Sequence, residues 1–316
     1  MVARSYTNDK QSLAVEPDSA DTMKHPDTRN SIFVESAELL SRQAYEGEQY
    51  IFRLHAAETA THAQPGSFVH LQCDQALPMR RPLSIMRASP NEGWIDILFK
   101  VYGKGTRMLA ARSKGDTIDL LGPIGQPFKC TQYSRRPLLI GGGVGIPPMI
   151  FLAEHIKKNN NEISPLVLIG SEIPFPFQPR PSQIIMPAMP NDIIATMPLL
   201  DDWGIPCRLT SLQGFTGCYE GYVTDLARHW LNQLDPDQKD EVEIFACGPM
   251  AMLAAVAELA REFNRPCQVS VEEYMACAVG GCAGCTVRVD TADGPAMKRV
   301  CVDGPVFDAA SVFPVN

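Results

Sequence analysis

Four cysteines near the carboxyl end, Cys277, Cys282, Cys285 and Cys301, are spaced C-x4-C-x2-C-x15-C. The leading C-x4-C-x2-C is the spacing of plant-type [2Fe–2S] sites. Thiolates are soft ligands that hold iron and neutralise its charge. Three of them must come from one tight loop wrapped around the cluster, and small residues let backbone amides approach the sulfurs. The sequence supplies Ala276, Ala278, Gly280, Gly281, Ala283 and Gly284 there. The fourth ligand, Cys301, is expected from a separate strand. A structural zinc site and simple buried thiols are the competing readings. Zinc sites more often show two C-x2-C pairs or added histidines. This chain has one such pair and no histidine after His229. Cys73, Cys130, Cys207, Cys218, Cys247 and Cys267 lack ligand spacing among themselves. Cys247 aside, they read as small buried hydrophobes.

Two motifs suit phosphate. Arg81-Pro82-Leu83-Ser84 falls in a predicted strand, and an arginine fork beside a hydroxyl is what a dinucleotide pyrophosphate requires. Gly103-Lys104-Gly105-Thr106 opens a helical run at Arg107–Arg112, where glycines let N–H groups point at an anion. Each motif alone reads equally as a strand end or a turn. Gly141-Gly142-Gly143-Val144-Gly145 lies between an apolar strand and a helix. Its glycines permit a tight turn and close approach of a dinucleotide, and Pro147-Pro148 fixes the helix start. It is not a strict G-x-G-x-x-G, so an ordinary strand–helix turn stays open. Cys247-Gly248-Pro249 marks a second such junction, with a buried cysteine at a strand end as the plainer reading.

These residues need elements to position them. The chain has 316 residues, 45% hydrophobic and 20% charged, which excludes disorder as the main state and suggests about two domains. A net charge of −8 makes a nucleic-acid partner a poor expectation. The first 30 residues are polar, of both charge signs and without an apolar run; they read as a mobile tail, not a secretory signal. The uncharged stretch Pro137–Ala153 holds four glycines and three prolines, so it reads as strand, loop and helix start and not as a membrane span.

From Ser31 onward, Ser31–Ser36, Gln49–Ala57, Ser67–Cys73, Leu83–Arg87, Trp94–Val101 and Thr117–Leu121 are short β-rich runs divided by turn residues. They predict a small antiparallel barrel or sandwich. Apolar strands then alternate with helices: Pro137–Gly141, Pro165–Gly170, Cys207–Ser211 and Val242–Ala246 against helices to Lys158, over Tyr222–Leu234 and over Pro249–Phe263. That alternation predicts a parallel α/β sheet. Pro174–Pro198 contains seven prolines where a helix would ordinarily stand, so a long irregular loop is expected. The expected division is a tail over 1–30, a barrel over 31–133, an α/β domain over 134–265 and a cluster domain over 266–316.

The Arg81–Ser84 strand, the Gly103–Thr106 loop and Leu121-Gly122-Pro123-Ile124-Gly125 together resemble the ferredoxin–NADP reductase superfamily. The cluster and its tail, Cys301-Val302-Asp303-Gly304-Pro305-Val306-Phe307, further resemble the iron–sulfur electron-transfer subunits of dihydroorotate dehydrogenase B. The likeness covers about residues 31–310. It implies an FAD-binding β-barrel, a parallel α/β nicotinamide-binding domain and a C-terminal [2Fe–2S] domain. It implies FAD contacts from Arg81, Pro82, Leu83 and Ser84, from Leu98, Phe99 and Lys100, and from Gly105 and Thr106. On the nicotinamide side it implies Gly141, Gly142, Gly143, Gly145, Gly248 and Pro249, with Cys247 close to where nicotinamide meets flavin.

The resemblance implies a cytoplasmic oxidoreductase subunit. Electrons would pass from NADH through FAD and the cluster to a partner, the FMN-containing dihydroorotate dehydrogenase catalytic subunit of pyrimidine biosynthesis. No segment here is long enough to be that TIM-barrel enzyme. A hydrogenase- or glutamate-synthase-like complex is an alternative partner, and a redox-sensing module without turnover is an alternative role. NADH is preferred to NADPH because Ser171 and Glu172 follow the second strand, where a 2′-phosphate asks for a basic residue; Arg180 and Arg208 are the basic side chains within possible reach. Gly214–Gly221 resembles the family's glycine-bearing loop before a helix, with no contact assigned. Two departures stand out: Ala278 where the family has glycine, and the proline-rich stretch.

Overall fold

The structure, a computed structural model, describes residues 31–129, 135–160, 162–163 and 165–315. The expected tail over 1–30 and Cys130 lie outside the described residues. Strands β1 (Phe33–Tyr45), β2 (Gln49–His55), β3 (Phe68–Leu71), β4 (Arg81–Ser89), β5 (Trp94–Lys100) and β6 (Thr117–Ile124) close an antiparallel barrel in the order β1-β2-β5-β4-β3-β6. Two short helices accompany it, α1 (Ala57–His62) and α2 (Lys104–Ala110). Strand alternation sends Phe52, Leu54, Val69, Leu71, Ile85, Ile97 and Phe99 inward. The other face of the same strands sends Phe68, Met86, Leu98 and Ile124 outward into cores shared with the rest of the chain. Each such side chain contributes about 1.5–3 kcal/mol on burial, so the barrel is held from both faces.

The first strand runs well beyond the expected Ser36. Its second half, Glu38 to Tyr45, is polar in alternation and shows no apolar run. It becomes a strand because β2 pairs with it, from Glu38↔His55 to Tyr45↔Gln49. Gly47 and Glu48 turn the hairpin with φ of 74° and 56°.

The second half contains β7 (Arg136–Gly142), α3 (Ile146–Asn159), β8 (Leu166–Gly170), β9 (Arg180–Pro181), β10 (Ala195–Thr196), α4 (Pro198–Asp202), β11 (Cys207–Thr210), α5 (Val223–Gln233), α6 (Pro236–Asp240), β12 (Val242–Cys247) and α7 (Met250–Glu262). It continues with β13 (Cys267–Ser270), β14 (Thr286–Thr291), β15 (Gly294–Arg299), β16 (Val306–Asp308) and α8 (Ala309–Val312). Six strands form one sheet in the order β11-β8-β7-β12-β13-β16, parallel except for the edge strand β16. The chain steps outward from β7 to β8 and β11, then returns to place β12 on the other side of β7. The direction of winding therefore reverses between β7 and β12. The crevice outside the carboxyl ends of strands at such a reversal is where open α/β sheets bind ligands.

The proline-rich stretch forms no helix between Ile173 and Met197, only the two-residue ladder β9–β10. It is nonetheless anchored. Gln49 Nε2 donates to the Pro174 carbonyl at 2.7 Å, Phe175 stacks on Phe177 at 5.3 Å, and Arg180 pairs with Asp201 and Asp202. The barrel is tied to α3 by Arg87, whose guanidinium meets buried Glu154 at 2.9 Å and lies over the Trp94 and Trp203 rings. Burial works against the Glu154 charge, but Arg87 and Lys158 outweigh it and hold the carboxyl below its usual range. The apolar tail after Cys301 packs onto the sheet, with Phe307, Val312 and Phe313 against the shared core.

Candidate functional site

The cysteine loop runs irregularly from the end of β13 to the start of β14. Cys285 immediately precedes β14, and Cys301 follows β15 by two residues. The β14–β15 hairpin, in register Thr286↔Arg299, closes the x15 spacing and brings the Cys285 and Cys301 sulfurs to 3.3 Å. Cys301 therefore arrives in the turn after a strand, not in a strand as expected. The hairpin bends at Asp293-Gly294, where Gly294 takes φ of 105°. At the other pair, the Cys282 thiol and its backbone N–H both face the Cys277 sulfur. The four thiols thus stand two by two, the arrangement in which each iron of a [2Fe–2S] cluster takes two cysteines.

Backbone amides point into this site. Burial pushes the Cys277 thiol up, but the N–H groups of Val279, Cys282 and Gly281 outweigh it and bring the thiol down to about 7. The Gly284 N–H donates to the Cys282 sulfur at 3.4 Å. Burial, with the neighbouring Cys285, pushes Cys301 up to about 12, while the Gly280 N–H pulls the other way. A shell of N–H donors aimed at sulfur suits a cluster whose thiolates carry negative charge. Cys285 and Cys301 are buried, Cys277 is half-buried and Cys282 is exposed, so the site is closed toward the protein and open toward solvent.

On the barrel, Gly105 packs directly on Arg81: a Cβ there would stand 3.1 Å from Arg81 Nε. Arg81 Nη1 turns onto the carbonyls of Met79 and Arg80 at 3.0 Å, and among the described residues no carboxylate pairs with it. A cation without a counter-ion, held over the start of α2, fits a phosphate-bearing cofactor. Pro82 and Ser84 lie on the outer face of the barrel, cross-strand from His70 and Phe68. Leu98 faces the core shared with α3. Phe99 points inward, stacked on Tyr50 at 5.6 Å, so its ring faces away from any cofactor outside the barrel and only its main chain is available. Lys100 lies over the Tyr102 ring. The Thr106 hydroxyl is occupied locally, accepting from the N–H groups of Tyr102 and Gly103. Replacing Arg81 with Ala is expected to weaken FAD binding by about 30- to 150-fold, the worth of a charge-assisted contact of about 2–3 kcal/mol. Flavin fluorescence on reconstitution measures it, and unchanged occupancy would remove Arg81 from the site.

At the sheet, the two sequence motifs meet. Gly143–Gly145 forms a tight 3-10 turn after β7, and Cys247-Gly248-Pro249 follows adjacent β12. A Cβ at Gly145 would overlap the Cys247 carbonyl, and one at Gly142 would stand 2.5 Å from Met252 Sδ. Gly143, at φ of 55°, faces open space. Both junctions border the crevice where the winding reverses. Cys247 is wholly buried; burial pushes its thiol up, as does the charge of Glu272, against a hydrogen bond from Ser270. It stands there as a neutral thiol.

Comparison with known proteins follows this division. Residues 33–128 match the oxidoreductase FAD-binding domain family. Residues 272–313 match the iron–sulfur cluster binding domain of dihydroorotate dehydrogenase B. The electron transfer subunit of dihydroorotate dehydrogenase B (NAD(+)) from Bacillus caldolyticus is 32% identical over 288 residues, 90% of this chain and 98% of its own length. The chain belongs to the family of dihydroorotate dehydrogenase B electron transfer subunits. Among solved structures, that of an NADH-dependent reduced ferredoxin–NADP oxidoreductase, described for flavin-based electron bifurcation, is 27% identical with a TM-score of 0.69, over 88% of this chain and 90% of that one. The cytochrome b5 reductase domain of Ulva prolifera nitrate reductase, 18% identical with a TM-score of 0.54 over 73% of this chain and 94% of that one, shares the fold.

Ala278, where the resemblance led glycine to be expected, takes φ of 57°, a conformation that costs an alanine about 1–2 kcal/mol. Its methyl is buried, in the same core cluster as Cys285, Val300 and Cys301, which offsets part of that cost. Sequence reading missed the clamp on the loop. Arg299 Nη1 donates to the Gly280 carbonyl at 3.1 Å, and Asp303 accepts from the Arg299 backbone N–H at 2.8 Å. The Asp293-Gly294 turn signal would have predicted the hairpin; no spacing rule would have found the clamp. No helix of the described residues is long and apolar enough to cross a membrane.

Proposed function

We propose that the chain takes electrons from NADH at the β7–β12 crevice and delivers them, through FAD on β4 and α2 and a [2Fe–2S] cluster on the cysteine loop, to an FMN-containing dihydroorotate dehydrogenase catalytic subunit. FAD, when bound, supplies the conversion between the paired electrons of a hydride and the single electrons a [2Fe–2S] cluster exchanges. Arg81 holds the pyrophosphate, with Gly105 making room for it. Pro82, Leu83, Ser84, the main chain at Leu98–Lys100, and Thr106 complete that site. Gly141, Gly142, Gly143, Gly145, Gly248 and Pro249 shape the nicotinamide side, and Cys247 shapes its floor as a neutral, buried thiol. Cys277, Cys282, Cys285 and Cys301 hold the iron. The working division is a barrel over 31–133, an α/β unit over 134–265 and a cluster segment over 266–316 whose first and last strands complete the α/β sheet.

The observation that carries this reading is the paired thiols beside the barrel. Cys285, Cys301 and Phe68 of β3 share one core. Just beyond β6, the Gln126 backbone N–H donates to the Gly304 carbonyl at 2.6 Å, and its side chain donates to the Val302 carbonyl at 3.2 Å. The segment that follows Cys301 is therefore bonded to the chain just beyond β6, and the buried thiols share a core with Phe68, the cross-strand partner of Ser84. Cys282 is exposed, and the same C-terminal segment exposes the apolar side chains of Tyr274, Val279 and Met297, which suits a docked partner in a hetero-oligomer. NADH is supported over NADPH. Ser171 donates to the Ile173 carbonyl at 2.7 Å, Glu172 is exposed, Arg180 is bound to Asp201 and Asp202, and Arg208 is buried on the carbonyls of Cys207 and Ile184. The described cysteines form no disulfides, as a reducing cytoplasm would keep them. A different redox partner is favoured by one observation, the likeness to the bifurcating oxidoreductase. Mixing the holoprotein with a dihydroorotate dehydrogenase catalytic subunit separates the two. The expected result is a complex on gel filtration that reduces NAD+ with dihydroorotate only when both chains are present; no complex and no coupled reduction would favour the other partner.

A further inference from the structure

Gly280 lies in the cysteine loop between Cys277 and Cys282, at φ of 81°. Its N–H faces the Cys301 sulfur. The N–H of the next residue, Gly281, faces the Cys277 sulfur. Successive amides turned toward one concavity make a nest for negative charge, and here the nest serves one thiol of each pair. The peptide between Gly280 and Gly281 has two ends. Its N–H points at Cys277, and its carbonyl accepts from Arg299 Nη1 at 3.1 Å. Arg299 therefore stands one peptide away from the Cys277 sulfur, at the negative end of the dipole aimed at it. A side chain at Gly280 would crowd this contact, since a Cβ there would stand 3.2 Å from Val302 and 3.4 Å from Arg299 Nη1.

Arg299 ends β15, and Asp303 lies four residues on, so the two flank Cys301 at equal distance in the chain. The Asp303 carboxylate accepts from the Arg299 backbone N–H at 2.8 Å and from its Nε at 3.3 Å. The side chains are 25% and 13% exposed, so water screens their charges only in part. A cationic donor on the Gly280 carbonyl polarises that peptide and strengthens the bond its N–H makes to sulfur. A reduced [2Fe–2S] centre carries one more negative charge than the oxidised one. Hydrogen bonds to the sulfurs and nearby positive charge therefore favour the reduced state. Asp303 fixes the guanidinium in place and opposes its charge.

We propose that Arg299 and Asp303 set the reduction potential of the iron–sulfur centre without ligating it. Arg299 is a positioning residue: it raises the potential through the Gly280–Gly281 peptide, and Asp303 lowers it by partial neutralisation. The inference rests on the reading of the four cysteines as a [2Fe–2S] site. The step it governs is the arrival of a single electron from the flavin, in which no bond is made or broken. Three substitutions separate charge from shape. Arg299→Gln keeps much of the length and a donor but removes the charge. Arg299→Lys keeps the charge and loses the fork. Asp303→Asn keeps an acceptor oxygen for the Arg299 N–H and removes the opposing charge.

The full chain is reconstituted, and the paramagnetic signal of its reduced centre is followed through an anaerobic redox titration, with iron quantified. Arg299→Gln is expected to lower the equilibrium constant for one-electron reduction about tenfold, a fall of about 59 mV. Arg299→Lys is expected to stay within about threefold of wild type, and Asp303→Asn to move about threefold or more in the opposite direction, upward. The opposite signs decide the matter. A purely structural clamp would lower the iron content of all three variants and leave the potential of the surviving centres unchanged, which would overturn the proposal. If Arg299→Gln holds no cluster, Asp303→Asn decides alone: a raised potential supports the proposal, and an unchanged or lowered one overturns it. Wild-type protein that forms no [2Fe–2S] centre refutes the cluster reading itself, and this proposal with it, an outcome told apart by the absence of any paramagnetic signal.

Discussion

Replacing Cys282 with Ser is expected to abolish the visible and electron-paramagnetic signature of the cluster while leaving the reduction of flavin by NADH within about twofold of wild type. Cys282 is the exposed member of its pair, and it has two functions. Its sulfur accepts from the Gly284 N–H, and its own N–H donates to the Cys277 sulfur. A serine oxygen is smaller and harder than a thiolate, so one iron would lose a soft ligand and the amide shell around Cys277 would lose its neighbour. Strand β4, which carries the proposed flavin motif, lies on the barrel, held by ladders that do not involve the loop. The variant therefore separates entry of electrons from exit. Absorbance during anaerobic NADH addition, with iron quantified, measures both; a loss of flavin reduction along with the cluster would mean that the loop is part of the flavin site.

Gly145→Ala is expected to lower stability by about 3 kcal/mol, at the upper end of the cost of forcing an atom into a filled site, and to abolish NADH-driven flavin reduction. The backbone at Gly145 is helical, with φ of −83°, so conformation is not the obstacle. The obstacle is space: the new methyl would overlap the Cys247 carbonyl and stand 2.5 Å from the Gly248 nitrogen. Both belong to main chain at the end of β12, which six residues of parallel pairing hold against β7. Relief requires the two junctions bordering the crevice to separate. Gly143→Ala is the control. That residue has φ of 55°, but a methyl added there would meet no neighbour within 4 Å, so it should cost about 1–2 kcal/mol from backbone strain alone. Urea unfolding of the two variants gives the difference, and equal costs would contradict the close approach.

Much of this architecture was legible because it depends on local chemistry. The cysteine spacing, the glycine-rich turn after β7 and the proline veto on a helix over 174–198 each follow from what those residues permit. What was hidden depends on pairing across the chain. The polar half of β1 is a strand only because β2 lies beside it. The approach of Cys301 to Cys285 depends on the β14–β15 hairpin, whose Asp293-Gly294 turn was the available signal. Phe99 belongs to a strand whose end was expected at the flavin, and the alternation that turns its ring into the barrel is fixed by register with β2 and not by its own neighbours. The clamp from Arg299 to Gly280 and Asp303 is a product of tertiary contact.

The central claim is that one chain carries electrons from a pyridine nucleotide through a flavin to iron. Anaerobic titration of the purified, reconstituted holoprotein with NADH, following flavin absorbance and the paramagnetic signal of a reduced [2Fe–2S] centre in the same samples, tests it most directly. The expected result is flavin bleaching accompanied by a cluster signal whose electrons, added to those on the flavin, equal twice the NADH consumed. Protein that binds zinc in place of iron at the four cysteines, or flavin that bleaches with no electron ever reaching the cluster, would contradict it.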